Sequence, residues 1–395
     1  MTSLRAGRAR AEAERRRGWV RVGSAAAVVL VAVTALVLLA GGRPVPPGRS
    51  AYDAGTADPV AAALPVLSGF AEARRGLRFR TPPEVRVVDA ATYATIVAEP
   101  ITTADGVPAG DRAATRRALA LGHLPAVATD TAEAEPMPEA FYSFRRHAVF
   151  LRQGLPFDAF GRVVLVHELT HALQDQSFDL LTLVRAAARD ADRARALAAV
   201  IEGDATRVEL AYLATQPAAD QVAVRARYDY DPTPRSYAEL DRTFPYTVGR
   251  DFVTAPAERG GNAAVDAAFR RPPVSTAQVI DPRDYTGGVE PVGVRAPPAE
   301  GRRLDAGTLG QFGLAALVTR GVRVANVSAT SGWLGDSYVT FRSARGLCTY
   351  ANVVVADTEA REQLVRDLAS WLSTRQGRAE VLRSGERGIR LRSCV

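Results

Sequence analysis

Residues 163–176 read VVLVHELTHALQDQ, and this stretch decides how the rest of the chain is interpreted. It contains no glycine or proline and is mostly apolar, which predicts a buried helix. His167 and His171 are four positions apart, so both lie on one face of a helix. Two imidazoles in that arrangement can bind one Zn²⁺ at about 2.0–2.1 Å. Glu168 follows the first histidine, where its carboxylate can take a proton from an activated water molecule.

The motif has a less specific alternative, in which hydrogen bonds satisfy two ordinary core histidines. The chain of 395 residues contains only four histidines, so the pattern is uncommon in this composition. Burying two imidazoles beside an unpaired glutamate is also costly without a cation or another partner. The motif therefore favours a catalytic metal site with zinc as the cofactor, although two imidazoles and a carboxylate also bind other divalent ions.

A catalytic zinc site needs a third protein ligand and one open position. The other two histidines, His123 and His147, precede the motif, so the third ligand is a carboxylate or an upstream histidine. Glu202 is the predicted ligand because it stands in an otherwise apolar stretch, far enough past the motif for an antiparallel return. Asp204 is rotated about 200° from Glu202 around a helix, so both cannot face one ion. Glu209, two turns further on the Glu202 face, is the alternative ligand.

Two further polar sites have competing interpretations. Asp175 follows His171 by four residues and lies on the same predicted helical face. It either accepts a hydrogen bond from a metal-binding imidazole or is a solvated acid at the helix end. The pair Ser275 and Thr276 is predicted to cap a helix or turn rather than to act as a nucleophile.

The distribution of charge argues against nucleic-acid binding. The formal net charge is +7, but residues 1–43 carry eight arginines and two glutamates, so the remainder is nearly neutral. A neutral body lacks the clustered basic face that phosphate groups require. The sequence therefore predicts no nucleic-acid partner.

The N-terminus carries the signature of a membrane segment. Residues 22–42 are uncharged and long enough to cross about 30 Å of hydrocarbon as a helix. The arginines of the tail, residues 1–21, place it in the cytoplasm. We therefore expect a single-pass cell-membrane protein with an extracytoplasmic body, or a secreted one if the helix is a cleaved signal. Residues 43–57 are rich in proline and glycine and are predicted to be a linker.

The body divides into two predicted parts, which together make an α+β fold class. Residues 58–298 form the catalytic part, with one long helix over 180–215 and mainly loops over 228–298. Residues 299–395 form a C-terminal α+β subdomain. The local elements expected in these two parts are short strands at 77–80, 85–89, 337–341 and 349–356, and helices at 310–319 and 358–374.

The only two cysteines, Cys348 and Cys394, both lie in the C-terminal part. An even pair in an exported protein predicts a disulfide, because an oxidising compartment preserves it. The alternative is two unrelated buried thiols.

These motifs resemble a known family, the bacterial exported zincin-like zinc metallopeptidases of the gluzincin type. The likeness rests on VHELTHALQDQ at 166–176, EGDA at 202–205, PPVSTAQVIDP at 272–282 and SGWLGD at 331–336, and it covers roughly residues 140–375. The resemblance implies a zincin fold in which His167, His171 and Glu202 bind zinc and Glu168 is the base.

Residues 141–152 are predicted to be an extended segment or a hairpin. The same resemblance implies an edge strand beside the cleft, and this segment is the candidate. An extended peptide substrate could add to such an edge by main-chain hydrogen bonds. Within this segment Tyr142 and His147 either stabilise an oxyanion or pack against the body. One departure from the family is Thr206, which stands where related gluzincins often have an acid that supports the ligands.

Three functions fit the sequence. The first is a zinc endopeptidase that cuts protein or peptide substrates at the extracytoplasmic face. The second is a catalytically silent surface binding or scaffold protein that retains the fold. The third is a zinc hydrolase of a non-peptide amide, although the chain shows no wall-binding repeat. The sequence indicates no oligomeric state.

Overall fold

The computed structural model describes residues 58–104, 106, 110–119, 138–228, 237–319, 330–373 and 378–395. The predicted tail, membrane segment and linker, residues 1–57, lie outside these ranges, as does His123. The statements below concern the described residues.

A three-stranded sheet and its flanking helices form the first part of the described chain. The elements are α1 (Pro59–Arg75), β1 (Glu84–Val88), α2 (Ala90–Val97), α3 (Arg112–Ala118), β2 (Ala140–Ser143) and β3 (Ala148–Arg152). The strand order is β1-β3-β2, with β1 parallel and β2 antiparallel to β3. Residues 141–152 form a hairpin, which is one of the two predicted forms, and within it β2 rather than β3 lies at the edge of the sheet. The strand predicted at 77–80 is absent, while the one at 85–89 is confirmed as β1.

Five helices follow, and the first of them carries the motif. They are α4 (Ala159–Phe178), α5 (Leu180–Ala187), α6 (Ala191–Leu213), α7 (Ala218–Tyr228) and α8 (Tyr237–Arg270). The prediction of one helix over 180–215 is wrong, because Asp190 starts a new helix by accepting a hydrogen bond from the Arg193 N–H. A side-chain oxygen at that position satisfies a backbone donor that the helix leaves unpaired.

The prediction of loops over 228–298 is wrong for its central part. Helix α8 runs through Pro245 and Pro256, with a kink at Gly261, where φ is 62°. Its aromatic side chains lie in the core, and Phe244 and Phe252 are almost fully buried. Burial of such side chains stabilises the folded state by about 1.5–3 kcal/mol each. This stabilisation outweighs the helix-breaking tendency of the two prolines and the glycine.

Helices α6 and α8 cross in backbone contact. A Cβ atom on Gly203 would lie 2.4 Å from the Gly249 carbonyl, and one on Gly249 would lie 2.4 Å from the Ala199 oxygen. Both positions therefore exclude any side chain. This contact is one residue away from Glu202, the predicted third ligand.

The C-terminal part is built on a five-stranded antiparallel sheet of order β4-β5-β6-β8-β7. Its predicted helices and strands are confirmed, although β4, β7 and β8 were not predicted. Cys348 and Cys394 face each other on neighbouring strands and form the predicted disulfide, with an S–S distance of 2.03 Å. Two short helices precede this part, α9 (Thr276–Ile280) and α10 (Pro282–Thr286). The elements of the part itself are β4 (Arg302–Gly307), α11 (Gly310–Thr319), β5 (Trp333–Ser343), β6 (Gly346–Val355), α12 (Thr358–Leu372), β7 (Arg378–Ser384) and β8 (Gly388–Cys394).

Two hydrophobic cores hold the fold together. The larger one combines helices α6 and α8 with the five-stranded sheet, through residues such as Leu197, Phe252, Val353 and Leu391. Residues 58–298 and 299–395 therefore share a core. The second core joins α4 to the hairpin and to α1, α6 and α7.

The predicted fold class needs correction. The described residues form a mixed α/β fold of twelve helices and two sheets. None of these twelve helices is long and apolar enough to cross a membrane, so the N-terminal transmembrane helix included in the prediction has no support among them. Even the longest, α8, carries ionisable side chains along its whole length, which a hydrocarbon interior disfavours. The segment assigned to the membrane, residues 22–42, lies outside the described ranges.

Candidate metal centre

Helix α4 is buried on all sides, which explains its apolar sequence. Residues 163–175 are all buried, because α4 packs against α1, α6, α7 and strand β2. His167 and His171 are 3% and 5% exposed. Side chains with this little exposure need hydrogen-bond or metal partners within the protein.

The two motif imidazoles and Glu202 converge on one point. His167 Nε2 and His171 Nε2 are 3.0 Å apart, and Glu202 Oε2 lies 3.2 Å from each. Tetrahedral zinc with bonds of about 2.0–2.1 Å separates its ligand atoms by roughly 3.3–3.4 Å. The three atoms thus have nearly the spacing of zinc ligands, and they form a group that could hold a metal ion.

The outer nitrogens of both imidazoles contact acceptors. His167 Nδ1 lies 2.8 Å from Glu209 Oε2, and His171 Nδ1 lies 3.0 Å from Gln174 Oε1. An acceptor at Nδ1 requires a proton there, so a neutral ring presents the lone pair of Nε2 inward. Two nitrogen lone pairs and a carboxylate oxygen therefore point at one another, and only a cation or an added proton can occupy that position favourably.

The pKa values of the site reflect the contacts between the imidazoles and the neighbouring acids. Burial by itself lowers the pKa of His167, but its hydrogen bonds to Glu202 and Glu209 raise the pKa well above the usual value. Burial likewise raises the pKa of Glu202, yet the neighbouring imidazoles bring it below its usual value. The protein thus stabilises positive charge between these side chains, as the chemistry of the donor set requires for a divalent cation.

Glu168 adjoins the converging atoms. Its Oε2 accepts a hydrogen bond of 2.7 Å from the main-chain N–H of Tyr142, on the edge strand β2. Burial raises the pKa of Glu168, while the two imidazoles oppose that shift. A carboxyl group whose pKa is raised towards neutrality is suited to accept and release a proton.

Asp175, Tyr142 and His147 form a separate group. Asp175 Oδ2 accepts from the Tyr142 hydroxyl at 2.7 Å and lies 2.8 Å from His147 Nδ1. Asp175 Oδ1 accepts from the Leu180 N–H at 2.8 Å. Neither motif imidazole contacts Asp175, and the carboxylate is not a solvated acid, because it is 6% exposed. It joins the end of α4 to the hairpin, at one side of a cleft of about 690 Å³.

Several contacts of the centre were not predicted in these roles. Glu209, the predicted alternative ligand, instead contacts His167 at Nδ1, the ring nitrogen that faces away from Glu202. Its position on the same helical face as Glu202 could have suggested that it lies near the histidines. Gln174, three residues after His171, gave no such signal. Tyr246 of α8 stacks on His167, with ring centroids 6.0 Å apart. Glu209 lies three residues after Thr206 on α6 and makes the contact with His167 Nδ1.

Buried acids also occur beside the five-stranded sheet, but they face donors. Asp336 accepts from the N–H groups of Leu309 and Gly310 and from the Trp333 indole. Burial raises the pKa of Asp336 to about 6, so the group is ionised at neutral pH and can accept all three. Asp305 similarly accepts from Thr115, Tyr338 and the Ala306 N–H. Trp333 and Asp336 belong to the SGWLGD segment.

Comparisons of the chain with models of protein families, with curated proteins and with solved structures found no match. The resemblance to zincin-like metallopeptidases stays a prediction that rests on the motif residues.

Proposed function

We propose that this protein is a zinc-dependent hydrolase of peptide bonds, with His167, His171 and Glu202 as metal ligands and Glu168 as the catalytic acid and base. One observation carries the proposal: three lone-pair donors, on two helices, lie 3.0–3.2 Å apart with no hydrogen-bond donor of a neutral ring between them. Two imidazoles and one carboxylate suit zinc better than magnesium or calcium, which prefer oxygen ligands.

Bound zinc would lower the pKa of a water molecule to about 7 and polarise the carbonyl group of the substrate. Glu168 takes the proton of the attacking water and passes it to the leaving amine. Its hydrogen bond to the Tyr142 N–H fixes Oε2 and leaves Oε1 for this transfer. Glu209 and Gln174 hold the two ligand imidazoles in the orientation that keeps Nε2 available.

An extended peptide is the substrate class that the edge strand favours. Among the described residues, strand β2 pairs only with β3, and main-chain groups at such an edge can bind an added strand. The contact between Tyr142 and Glu168 brings this edge to the proposed base. A peptide bond aligned along β2 would therefore lie near the reacting groups.

The disulfide supports action outside the cytoplasm. The Cys348–Cys394 bond lies in the five-stranded sheet, with Cys348 buried and Cys394 half-buried, and such bonds persist in oxidising compartments. An extracytoplasmic site of action is part of the proposal.

The proposal is tested by metal analysis and by hydrolysis of an unfolded protein such as reduced casein. We expect one zinc per chain, and activity that a chelator abolishes and zinc restores. Glu168→Gln should keep the zinc and lose the activity, because the amide cannot accept the proton. Equal activity of this variant and the wild type would refute the assignment of the base. Bound zinc without turnover in the wild type would favour the scaffold alternative, whereas hydrolysis of amides other than peptides would favour the third.

A further inference from the structure

The two ligand imidazoles are held by unlike groups, and this difference has a structural cause. His167 contacts the carboxylate of Glu209, which offers only acceptor oxygens. His171 contacts the side-chain amide of Gln174, which carries an acceptor at one end and donors at the other. If this amide were reversed, it would direct an N–H group at His171 Nδ1. That ring nitrogen would then become an acceptor, and the Nε2 lone pair would no longer face inward.

The orientation of the Gln174 amide is determined by what its nitrogen contacts. Gln174 Nε2 donates to the Ile201 carbonyl at 3.1 Å and to Asp204 Oδ2 at 3.0 Å. Gln174 and Asp204 are both fully buried. A reversed amide would place its oxygen against these two acceptors at a position without solvent exposure, so the amide oxygen must face His171.

Asp204 is paired with two arginines. Its Oδ2 accepts from Arg75 Nε at 2.6 Å, and both side chains have no exposure. Its Oδ1 accepts from Arg207 at 3.0 Å. Arg75 also contacts Asp266, which does not reach Gln174. The arginine contacts fix the carboxylate in the position where its Oδ2 accepts from the Gln174 amide.

We infer that Asp204 and Gln174 are positioning residues for the ligand His171, with Arg75 holding Asp204 in place. The inference rests on the proposed metal centre. Asp204 follows Glu202 by two residues and faces away from it around α6. The turn that supplies one ligand therefore also orients another, from the opposite side of the helix.

Matched substitutions separate this role from general packing. Gln174→Met removes the amide at similar volume, and Asp204→Asn removes the charge that orients it. Asp266→Asn is the control, because it neutralises the other acid that contacts the guanidinium of Arg75. Gln176→Met is a second control on the same helix, since Gln176 bonds only to the backbone of Arg80 and Thr81.

Two measurements on the full chain decide the outcome. The first is zinc affinity by competition with a chelator, where we expect Gln174→Met and Asp204→Asn to weaken binding about 10–100-fold and both controls to change it little. The second is the ¹H–¹⁵N signal of the His171 Nδ1–H group in zinc-free protein labelled on histidine. We expect this signal in the wild type and both controls, and its loss in the two test variants.

Equal weakening by Asp204→Asn and Asp266→Asn would overturn the inference, because burial of Arg75 alone would then explain the effect. Unchanged affinity together with an unchanged ring signal in Gln174→Met would also overturn it. If Asp204→Asn fails to fold, Gln174→Met decides alone. A wild type that binds no zinc would contradict the proposed function, while the ring signal of the zinc-free protein would still test the positioning of His171.

Discussion

The helical region around α4 and the region around the five-stranded sheet both bury carboxylates, but they surround them differently. Beside the sheet, Asp305 and Asp336 each face three N–H or O–H donors. In the helical region, Glu202 faces two imidazole nitrogens that present lone pairs. The first arrangement is complete within the protein, whereas the second needs a cation or an added proton between the three atoms. Burial of an acid thus says little about function until the polarity of its neighbours is known.

Removal of zinc provides the largest test of this difference. At a free zinc concentration 1,000 times the Kd, binding to the folded state should raise the free energy of unfolding by about 4 kcal/mol. Urea titrations with zinc and with a chelator measure the change. In a Glu202→Gln variant, whose zinc affinity should be at least about 100-fold lower, the difference between the two titrations should shrink to about 1.4 kcal/mol or less. Equal stability of the wild type in both conditions would mean that the helical region, like the sheet region, is not stabilised by a bound ion.

Asp336→Ala should be the most damaging change on the sheet side. It leaves three buried N–H donors without an acceptor, at about 1 kcal/mol or more each, so we expect a loss of about 3 kcal/mol in urea unfolding. Zinc affinity should stay unchanged. Asp89→Ala, at an exposed helix cap, is the control and should cost about 1 kcal/mol. A loss no greater than that of the control would contradict the structural role of Asp336.

Glu202→Gln should lower zinc affinity by more than about 100-fold, or about 2.7 kcal/mol, since even residues behind the ligands contribute 10–100-fold. The matched variant Asp305→Asn changes a buried acid of the sheet region in the same way and should leave the affinity unaltered. Chelator competition measures both. If Glu202→Gln kept full zinc affinity, Glu202 would not be a metal ligand, and Glu209 would become the favoured third ligand.

Tyr142→Phe should have the smallest effect and separates two interpretations of Tyr142. Loss of its hydrogen bond to Asp175 should cost about 1 kcal/mol of stability, with kcat little changed. A group that stabilises an oxyanion would instead lower kcat about 10²–10³-fold when removed. Steady-state kinetics on one peptide substrate, beside urea unfolding, decides between packing and catalysis.

The part of the site that depends on local spacing could be predicted from the sequence. His167 and His171 share a face because of helical geometry, and Glu202 stands out as an acid among apolar residues. The contact of Arg75 with Asp204 joins positions 129 residues apart, and no local pattern indicates such a pair. The orientation of the Gln174 amide depends on that contact, so the sequence could not predict it either.

The fold shows the same division between local and distant causes. Helix α11 has the predicted bounds because its apolar run and flanking signals are local. Helix α8 was missed because Pro245, Pro256 and Gly261 read as loop residues, while its stability comes from burying Phe244 and Phe252 against distant elements. Strand β8 alternates buried residues with exposed arginines, whereas β7 has only half-buried and exposed positions. The pairing partners of both strands are set by the rest of the sheet.

The close crossing of α6 and α8 implies that the accuracy of the centre depends on two residues without side chains. If Gly203 or Gly249 gained even a methyl group, the helices would have to separate, and Glu202 would move with its own helix relative to α4. Residues that could never bind an ion thus set the dimensions of the space in which one would fit. Mutational surveys restricted to ionisable side chains would overlook both glycines.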